Sequence, residues 1–386
     1  MKTLATLFKN NVREYGMLIA LITVMLFFQV ITKGILLKPV NLTNLVLQNS
    51  YVITMALGML IIIITGWIDL SVGSVVAVVG ALAGVLMVRY DLNWVLTVGI
   101  CLLVGLAIGA FQGYWVAYVK IPAFIVTLAG MLMFRGLTLA LLAGESVGPF
   151  PVGFQKISSG FIPDFFNNKG FHITTIVIGV LLSILLIFLD MRARKNQQKY
   201  GFEVTPLYFF IAKNLVITGA VMGMSYLMAS YKGLPNVLVL LFVLVTFYAF
   251  ITNQSVIGRR IYAMGGNEKA ARLSGVNTSR LLFLSFVNMG VLAALAGLIV
   301  AARLNSATPN AGDGMELDVI AAVYIGGASA SGGIGTVVGA LVGAFLIGVL
   351  NNGMSILGVG IDWQKVVKGL VLLAAVLFDV YNKNKS

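Results

Sequence analysis

Runs of about twenty apolar residues, near the length needed to cross a ~30 Å hydrocarbon core, recur from one end of this chain to the other. Inside lipid, only helices and closed barrels satisfy their own backbone hydrogen bonds. None of the runs alternates apolar and polar residues as a barrel strand does. The expected fold is therefore all-α: a polytopic transmembrane helical bundle with one or two broken or re-entrant helices. Composition agrees, because a chain that is 59% hydrophobic and 10% charged, with mean hydropathy +1.00, has too little polar surface to cover a water-soluble globule.

The expected spans are roughly 17–36, 51–66, 72–89, 94–118, 122–143, 172–190, 209–230, 236–252, 281–302, 318–331, 335–356 and 363–381, about ten to twelve crossings in a single domain over residues 1–386. The runs at 51–66 and 318–331 are short enough to be half-helices. MKTLATLFKNNVREYG, ahead of the run from Met17, is not followed by a small-residue cleavage pattern. A retained first span is expected there, with a cleaved signal peptide as the alternative.

The net charge of +13 is divided among loops rather than gathered in a basic domain, so no nucleic-acid partner is expected. It fits the positive-inside asymmetry of a multi-pass cell-membrane protein surrounded by lipid. Threading from an internal N-terminus puts Lys2, Lys9, Arg13, Lys120, Arg192, Arg194, Lys195, Lys199, Lys213, Arg259, Arg260, Lys269, Arg272, Arg280, Lys383 and Lys385 on the cytoplasmic side. That is sixteen of the 26 basic residues, and both termini are expected inside.

Few residues carry chemistry. One cysteine, Cys101, and one histidine, His172, supply neither a disulfide nor a metal cluster, and both read as packing residues. The Gly-rich run IGGASASGGIGTVVG from Ile325 lacks the Gly-Lys step of a phosphate loop, so no ATP site is expected there. Such a density of small residues suits a tight interhelical contact or a short helix turning back in the membrane. The outer connection 144–171, rich in Gly, Pro and aromatics, reads either as a surface-resting or partner-meeting segment or as a flexible turn.

Asp69 sits inside the apolar stretch IIIITGWIDLSVGSVVAV, where an ionised side chain costs ~3 kcal/mol or more unless it faces protein, water or a partner. It follows Gly66 and precedes Ser71, an order that predicts a broken helix whose second half starts at Asp69, with the carboxylate accepting free backbone amides. Arg135 is the candidate counter-cation. Ser71 and Ser74 lie three apart, with Gly73 permitting close packing. Capping, a hinge or pathway role, and direct ligand binding all remain open for Asp69. Asn351 and Asn352, with Gln364, Lys365 and Lys368 beyond them, either bond between helices or line a path.

Residues 253–280 contain IGRRIYAMGGNEKAARLSGVNTSR. Gly265 and Gly266 end a preceding helix, Asn267 caps the next, Glu268 stands in its first turn, and Gly275 closes it. Ala270, Ala271 and Ser274 offer faces suited to a groove of another protein, while Lys269 and Arg272 stay free for charge pairing. An ordinary amphipathic loop helix is the plainer alternative.

GGNEKAARLSG resembles the coupling segment of membrane permease subunits in ATP-binding-cassette sugar importers of the ribose, xylose and multiple-monosaccharide group. IDLSVGS, PAFIVTLAGMLMFRG, AGLIVAARL, AGDGMELDVIAAVYIGG, NNGM and WQKVVKG extend that likeness in order over nearly the whole chain. The stretch from Asp190 to about Phe250, with KYGFEVTP and an added pair of spans around YKGLP, is similar to the longer xylose and multiple-monosaccharide permeases.

The resemblance implies a non-catalytic permease that works as a homodimer with a cytoplasmic ATPase and an extracytoplasmic sugar-binding protein. It would move xylose or several pentoses and hexoses inward by alternating access. ATP and Mg would bind the ATPase, and no cofactor is expected on this chain. Coupling would fall to Gly265, Gly266, Asn267, Glu268, Ala270, Ala271, Arg272, Ser274 and Gly275. Trp67, Ala328 and Ile334 depart from the family's usual glycine, threonine and arginine, which weakens any transfer of pathway roles. An ion-coupled carrier would need several mutually reachable carboxylates, whereas Asp69 looks nearly alone in the spans. An intramembrane hydrolase would need a nucleophile with an activating base.

Overall fold

A computed structural model describes residues 12–166, 170–201, 204 and 206–383, without the side chains of 12–15 and 378–383. Lys2, Lys9, Lys169, Lys385, part of KYGFEVTP (Phe202, Glu203, Thr205) and the side chains of Arg13, Asp379 and Lys383 lie outside the described residues.

The regular structure among the described residues is helical, apart from two isolated bridges, Val147 with Ala307 and Phe161 with Pro235. In order the helices are α1 (Val12–Ile31), α2 (Pro39–Ile64), α3 (Val72–Gly84), α4 (Trp94–Ala117), α5 (Ala123–Leu142), α6 (Ile173–Lys199), α7 (Leu207–Ala229), α8 (Asn236–Gln254), α9 (Val256–Gly266), α10 (Glu268–Leu273), α11 (Thr278–Leu304), α12 (Met315–Ile325), α13 (Val337–Ile356) and α14 (Ile361–Lys383). A π-helical turn, Val85–Arg89, extends α3, and a single turn, Val152–Gln155, lies between α5 and α6. Nine of these segments are long and apolar enough to cross a membrane.

Two compact units emerge. The larger comprises Met1–Leu36, Leu45–Ser159 and Val237–Ser386; the smaller comprises Leu37–Asn44 and Gly160–Asn236 and contains the α6–α7 hairpin. In the smaller unit, Lys213 Nζ on α7 lies 2.7 Å from Asp190 Oδ1 on α6.

Local signals set several helix starts. Asn93 Oδ1 accepts from Val95 N at 2.8 Å, Asn277 Oδ1 from Arg280 N at 3.0 Å, and Thr336 Oγ1 from Gly339 N at 2.9 Å. Each satisfies an amide that has no partner within its own helix. At the far end of α5, the Arg89 guanidinium donates to the carbonyls of Leu141 and Leu142, where the helix dipole favours a cation.

The core of the larger unit is built on α2, α3, α11, α12 and α13. In the most apolar 18-residue window, 83% of α2 is buried but only 22% of α4, so α2 is an interior helix and α4 presents an apolar flank. Close approach depends on missing side chains. A Cβ on Gly105 or Gly109 of α4 would stand 2.4 Å from Ala294 Cβ or Phe286 O of α11, and one on Gly343 of α13 would stand 1.9 Å from Ala322 O of α12. Without a hydrophobic drive between helices in lipid, such backbone-to-backbone packing supplies the contact energy.

Of the two runs expected to be short, only one is. The second span is not short: α2 has 26 residues, ~39 Å at ~1.5 Å each. Pro39 occupies its first position, suited to a residue without an N–H, and polar Asn41, Thr43, Asn44, Gln48 and Asn49 dilute its hydropathy. The short element is α12, whose 11 residues reach ~16 Å, half a membrane crossing. The first part of the connection after α5, residues 144–159, is packed rather than a flexible turn, because Phe150 and Phe154 are buried and the Val147–Ala307 bridge ties it to the start of the 305–314 segment.

Candidate functional site

The 253–280 segment meets the core at a three-way junction. Ser255 Oγ accepts from Gly258 N and starts α9, which runs through Gly265 and ends at Gly266. Gly265 lies against the last residue of α2 and the Gly-rich loop: an added Cβ would be 1.7 Å from Ile64 O and 2.6 Å from Gly333 N. Gly333 N in turn donates to Ile64 O at 2.8 Å, with φ of +75° at Gly333 that side-chain-bearing residues rarely adopt. Tyr262 Oη donates to Gly335 O at 2.6 Å. Burial pushes the Tyr262 phenol above its usual value, which keeps it a neutral donor.

Beyond the junction, Asn267 Oδ1 accepts from Ala270 N at 3.0 Å and starts α10, and Gly275, with φ of +84°, turns the chain away. Of the residues expected to face a partner, Ala271 is buried and points inward. The exposed face is Glu268, Lys269, Ala270, Arg272, Leu273 and Ser274. Leu273, 90% exposed on a segment that is none of the nine spans, is a large apolar side chain on this face that small-residue reasoning missed.

At the α2–α3 break, Gly66 (φ +87°) turns the chain and α3 begins at Val72, three residues later than expected. Asp69 is 2% exposed and does accept from the chain ahead, Oδ1 from Ser71 N at 2.8 Å and from Ser71 Oγ at 2.7 Å. This is an Asx turn leading into the helix rather than a cap on its first turn. Gln112 of α4 donates to Ser71 Oγ at 2.8 Å, giving a buried Gln112–Ser71–Asp69 chain across two helices. Gly130 makes room for it, since a Cβ there would lie 2.4 Å from Gln112 Nε2.

Arg135 is not the counter-cation of Asp69. Its Nη1 donates to Ala311 O at 2.7 Å and Pro309 O at 3.4 Å and so holds the 305–314 segment, whose open carbonyls are the nearer acceptors. That segment runs along α3, with Ala307 beside Gly84 and Gly312 against Gly73. A Cβ on Gly73 would also be 2.2 Å from Glu316 Oε2, so a second carboxylate rests at the first turn of α3, where the helix dipole favours it. Ser74 is fully buried with an unpaired hydroxyl.

On α12, Asp318 is buried and pairs with Lys368 Nζ of α14 at 2.8 Å, while Asn351 Nδ2 of α13 donates to Asp318 Oδ2 at 3.2 Å. Asn352 is buried in the same helix, and Lys365 reaches Asp313 at 3.1 Å. Asp69 is therefore not nearly alone: Glu316 and Asp318 join it inside the larger unit. Asp318 is the first residue of the expected 318–331 span and Glu316 lies just ahead of it, where hydropathy does not separate a folded-in segment from an outer loop.

The described residues of the larger unit thus form a lipid-suited helical core, broken beside the buried Asp69 carboxylate and packed at the Ile64 end against the two-helix segment α9–α10. The profile of the branched-chain amino acid transport system permease component family matches residues 41–376, and the chain belongs to this family. It is 40% identical over 97% of its length to the xylose transport system permease protein XylH of Haemophilus influenzae, covering 98% of that relative. It is 39% identical to XylH of Escherichia coli K12, over 97% of this chain and 94% of the relative. It is also 37% identical to the ribose import permease protein RbsC of the same organism, over 88% of this chain and 85% of the relative. No solved structure matches significantly.

Proposed function

We propose that this chain is the membrane permease of an ATP-driven importer that carries a monosaccharide, with D-xylose the first candidate, and that it works as a homodimer in the cytoplasmic membrane. ATP and Mg bind a separate cytoplasmic ATPase, and an extracytoplasmic binding protein delivers the sugar. Both termini and residues 253–280 face the cytoplasm. The relatives' transport of xylose and ribose supports the substrate class.

The observation that carries the mechanism is the direct line from an exposed lever to an interior helix. The α10 face bearing Leu273 and Arg272 is joined through Gly265 to the end of α2 and to the loop between α12 and α13. A push on α10 thus reaches both core elements without crossing a flexible linker. Closure of the ATPase moves this junction, and the bundle exposes its interior first to one side and then to the other.

The ion-coupled alternative draws support from the interior carboxylates. However, Lys368 neutralises Asp318, and Ser71 holds Asp69, so neither stands free as a carrier. The test is reconstitution of permease, ATPase and binding protein in vesicles, with a panel of sugars. ATP-dependent accumulation that needs all three subunits is expected, and Glu268→Arg is expected to reduce it at least tenfold with membrane insertion unchanged. Uphill uptake by the permease alone would refute the proposal.

A further inference from the structure

The α6–α7 hairpin of the smaller unit ends in a cluster of cations. In α6 the apolar run 173–189, ~26 Å long at ~1.5 Å per residue, is followed by Asp190 and then by Arg192, Arg194, Lys195 and Lys199. Between Asp190 and the start of α7 the sequence sets one carboxylate, Glu203, against these four. Asp190 itself is occupied by Lys213 at 2.7 Å and by Asn214 Nδ2 at 2.9 Å. The Arg194 guanidinium lies 5.0 Å from the centre of the Phe210 ring of α7. Arg192, Lys195 and Lys199 make no ion pair among the described residues.

Those three cations are spaced by three and four residues, so they share one face of α6, and all are exposed. Followed back along the helix at the same spacing, that face carries Leu181, Ile184, Leu185 and Phe188, which are exposed as well. A water-soluble partner cannot follow this face into hydrocarbon. A phospholipid covers both parts of it, with acyl chains on the apolar residues and the headgroup on the cations. The depth agrees. On α7 the exposed Tyr208 and Tyr226 stand ~27 Å apart along the axis, the spacing of the two membrane interfaces where such rings collect. Arg194 stacks on Phe210, two residues from Tyr208, so the cations lie at the level of one of these interfaces. Arg192 and Lys195, ~5 and ~9 Å beyond position 189, fall where long cationic side chains reach the headgroup layer.

We infer that this face of α6 binds an anionic phospholipid, with its phosphate held between Arg192 and Lys195. Residues three apart on a helix have Cβ atoms ~5–6 Å apart, so both side chains reach one phosphate. The Arg192 guanidinium donates to two phosphate oxygens as a fork, and the Lys195 ammonium adds a point charge. Lys199, one turn farther out, meets the outer part of the headgroup. A zwitterionic headgroup brings a cation of its own to the cluster and gains less. Each basic residue near an anionic surface contributes about fivefold in affinity, so the three together select strongly for anionic lipid. Only a membrane-crossing hairpin is required, whatever the permease carries.

Because the chain's one cysteine, Cys101, is buried, Phe188→Cys, one turn before Arg192, gives a single reactive thiol for a fluorophore. The labelled full-length chain is reconstituted in phosphatidylcholine vesicles containing a minor fraction of phosphatidylglycerol, with one lipid or the other brominated as a quencher. Brominated phosphatidylglycerol is expected to quench as though enriched at least threefold over its mole fraction. The Arg192→Gln, Lys195→Gln, Lys199→Gln triple variant is expected to bring quenching down to the value for random mixing, and the charge-conserving Arg192→Lys, Lys195→Arg variant to keep the enrichment. Quenching of the labelled parent in plain proportion to mole fraction overturns the inference. So does enrichment that survives in the triple variant, which would place the lipid elsewhere. A fluorophore that neither lipid quenches also overturns it, because protein would then cover this face.

Discussion

Gly265→Ala is the sharpest perturbation of the coupling junction, because its neighbour on the chain, Gly266, supplies an internal control. The new Cβ at position 265 would stand 1.7 Å from Ile64 O, a shortfall of about 1.7 Å against the 3.4 Å at which ordinary contact begins. Its second neighbour, Gly333 N at 2.6 Å, is backbone as well, so no side chain can swing aside. Relief requires α9 to move off α2 or the Gly333–Ile64 hydrogen bond to open. Overpacking of this kind typically costs ~1–3 kcal/mol. If that cost falls on the docked arrangement of the junction, coupling weakens ~5- to 150-fold. A Cβ at Gly266 meets nothing within 4 Å, so Gly266→Ala is expected to behave like wild type. The assay is sugar-stimulated ATP hydrolysis and uptake by the reconstituted complex, alongside ATPase co-purification. Gly265→Ala is expected to lower both activities at least fivefold. Equal, undiminished activity of the two variants would refute the packed-junction account of force transmission.

Two further outcomes test the interior polar groups. Asp69→Asn keeps an oxygen for the Ser71 amide and hydroxyl and is expected to lose ~1 kcal/mol of stability. Asp69→Leu leaves both donors buried without an acceptor, at ~1–3 kcal/mol each. Thermal unfolding in detergent should rank wild type, Asn and Leu in that order, and equal damage from Asn and Leu would mean that charge, not acceptance, is what Asp69 provides. Lys368→Met strands the buried Asp318 carboxylate and is expected to cost ~3–5 kcal/mol, largely recovered in the Lys368→Met, Asp318→Asn double variant. Additive losses in that cycle, read from the same melts, would show that the two side chains are not coupled.

Much of the architecture was legible from hydropathy alone. The sequence determined an all-α membrane bundle, because apolar runs that long, without the alternation of a barrel strand, leave only helices to satisfy a backbone in lipid. It also determined the short capped helix after Gly266, since Asn267 and Gly275 act within a few residues of themselves. Elsewhere local reasoning ran out. The start of α2 was hidden by a run of polar residues, of which Thr43 and Asn49 are buried, and the pairing of Asp318, at the edge of its expected span, with Lys368 of α14 could not be read from hydropathy. The placement of Arg135 on the 305–314 carbonyls, the Gln112–Ser71 bond, and the meeting of Ile64, Gly265 and Gly333 were decided only by tertiary structure. Those contacts join residues 41 to 269 positions apart in the chain. Periodicity and capping report on neighbours along a helix, whereas which helices touch is settled by where missing side chains allow two backbones to close.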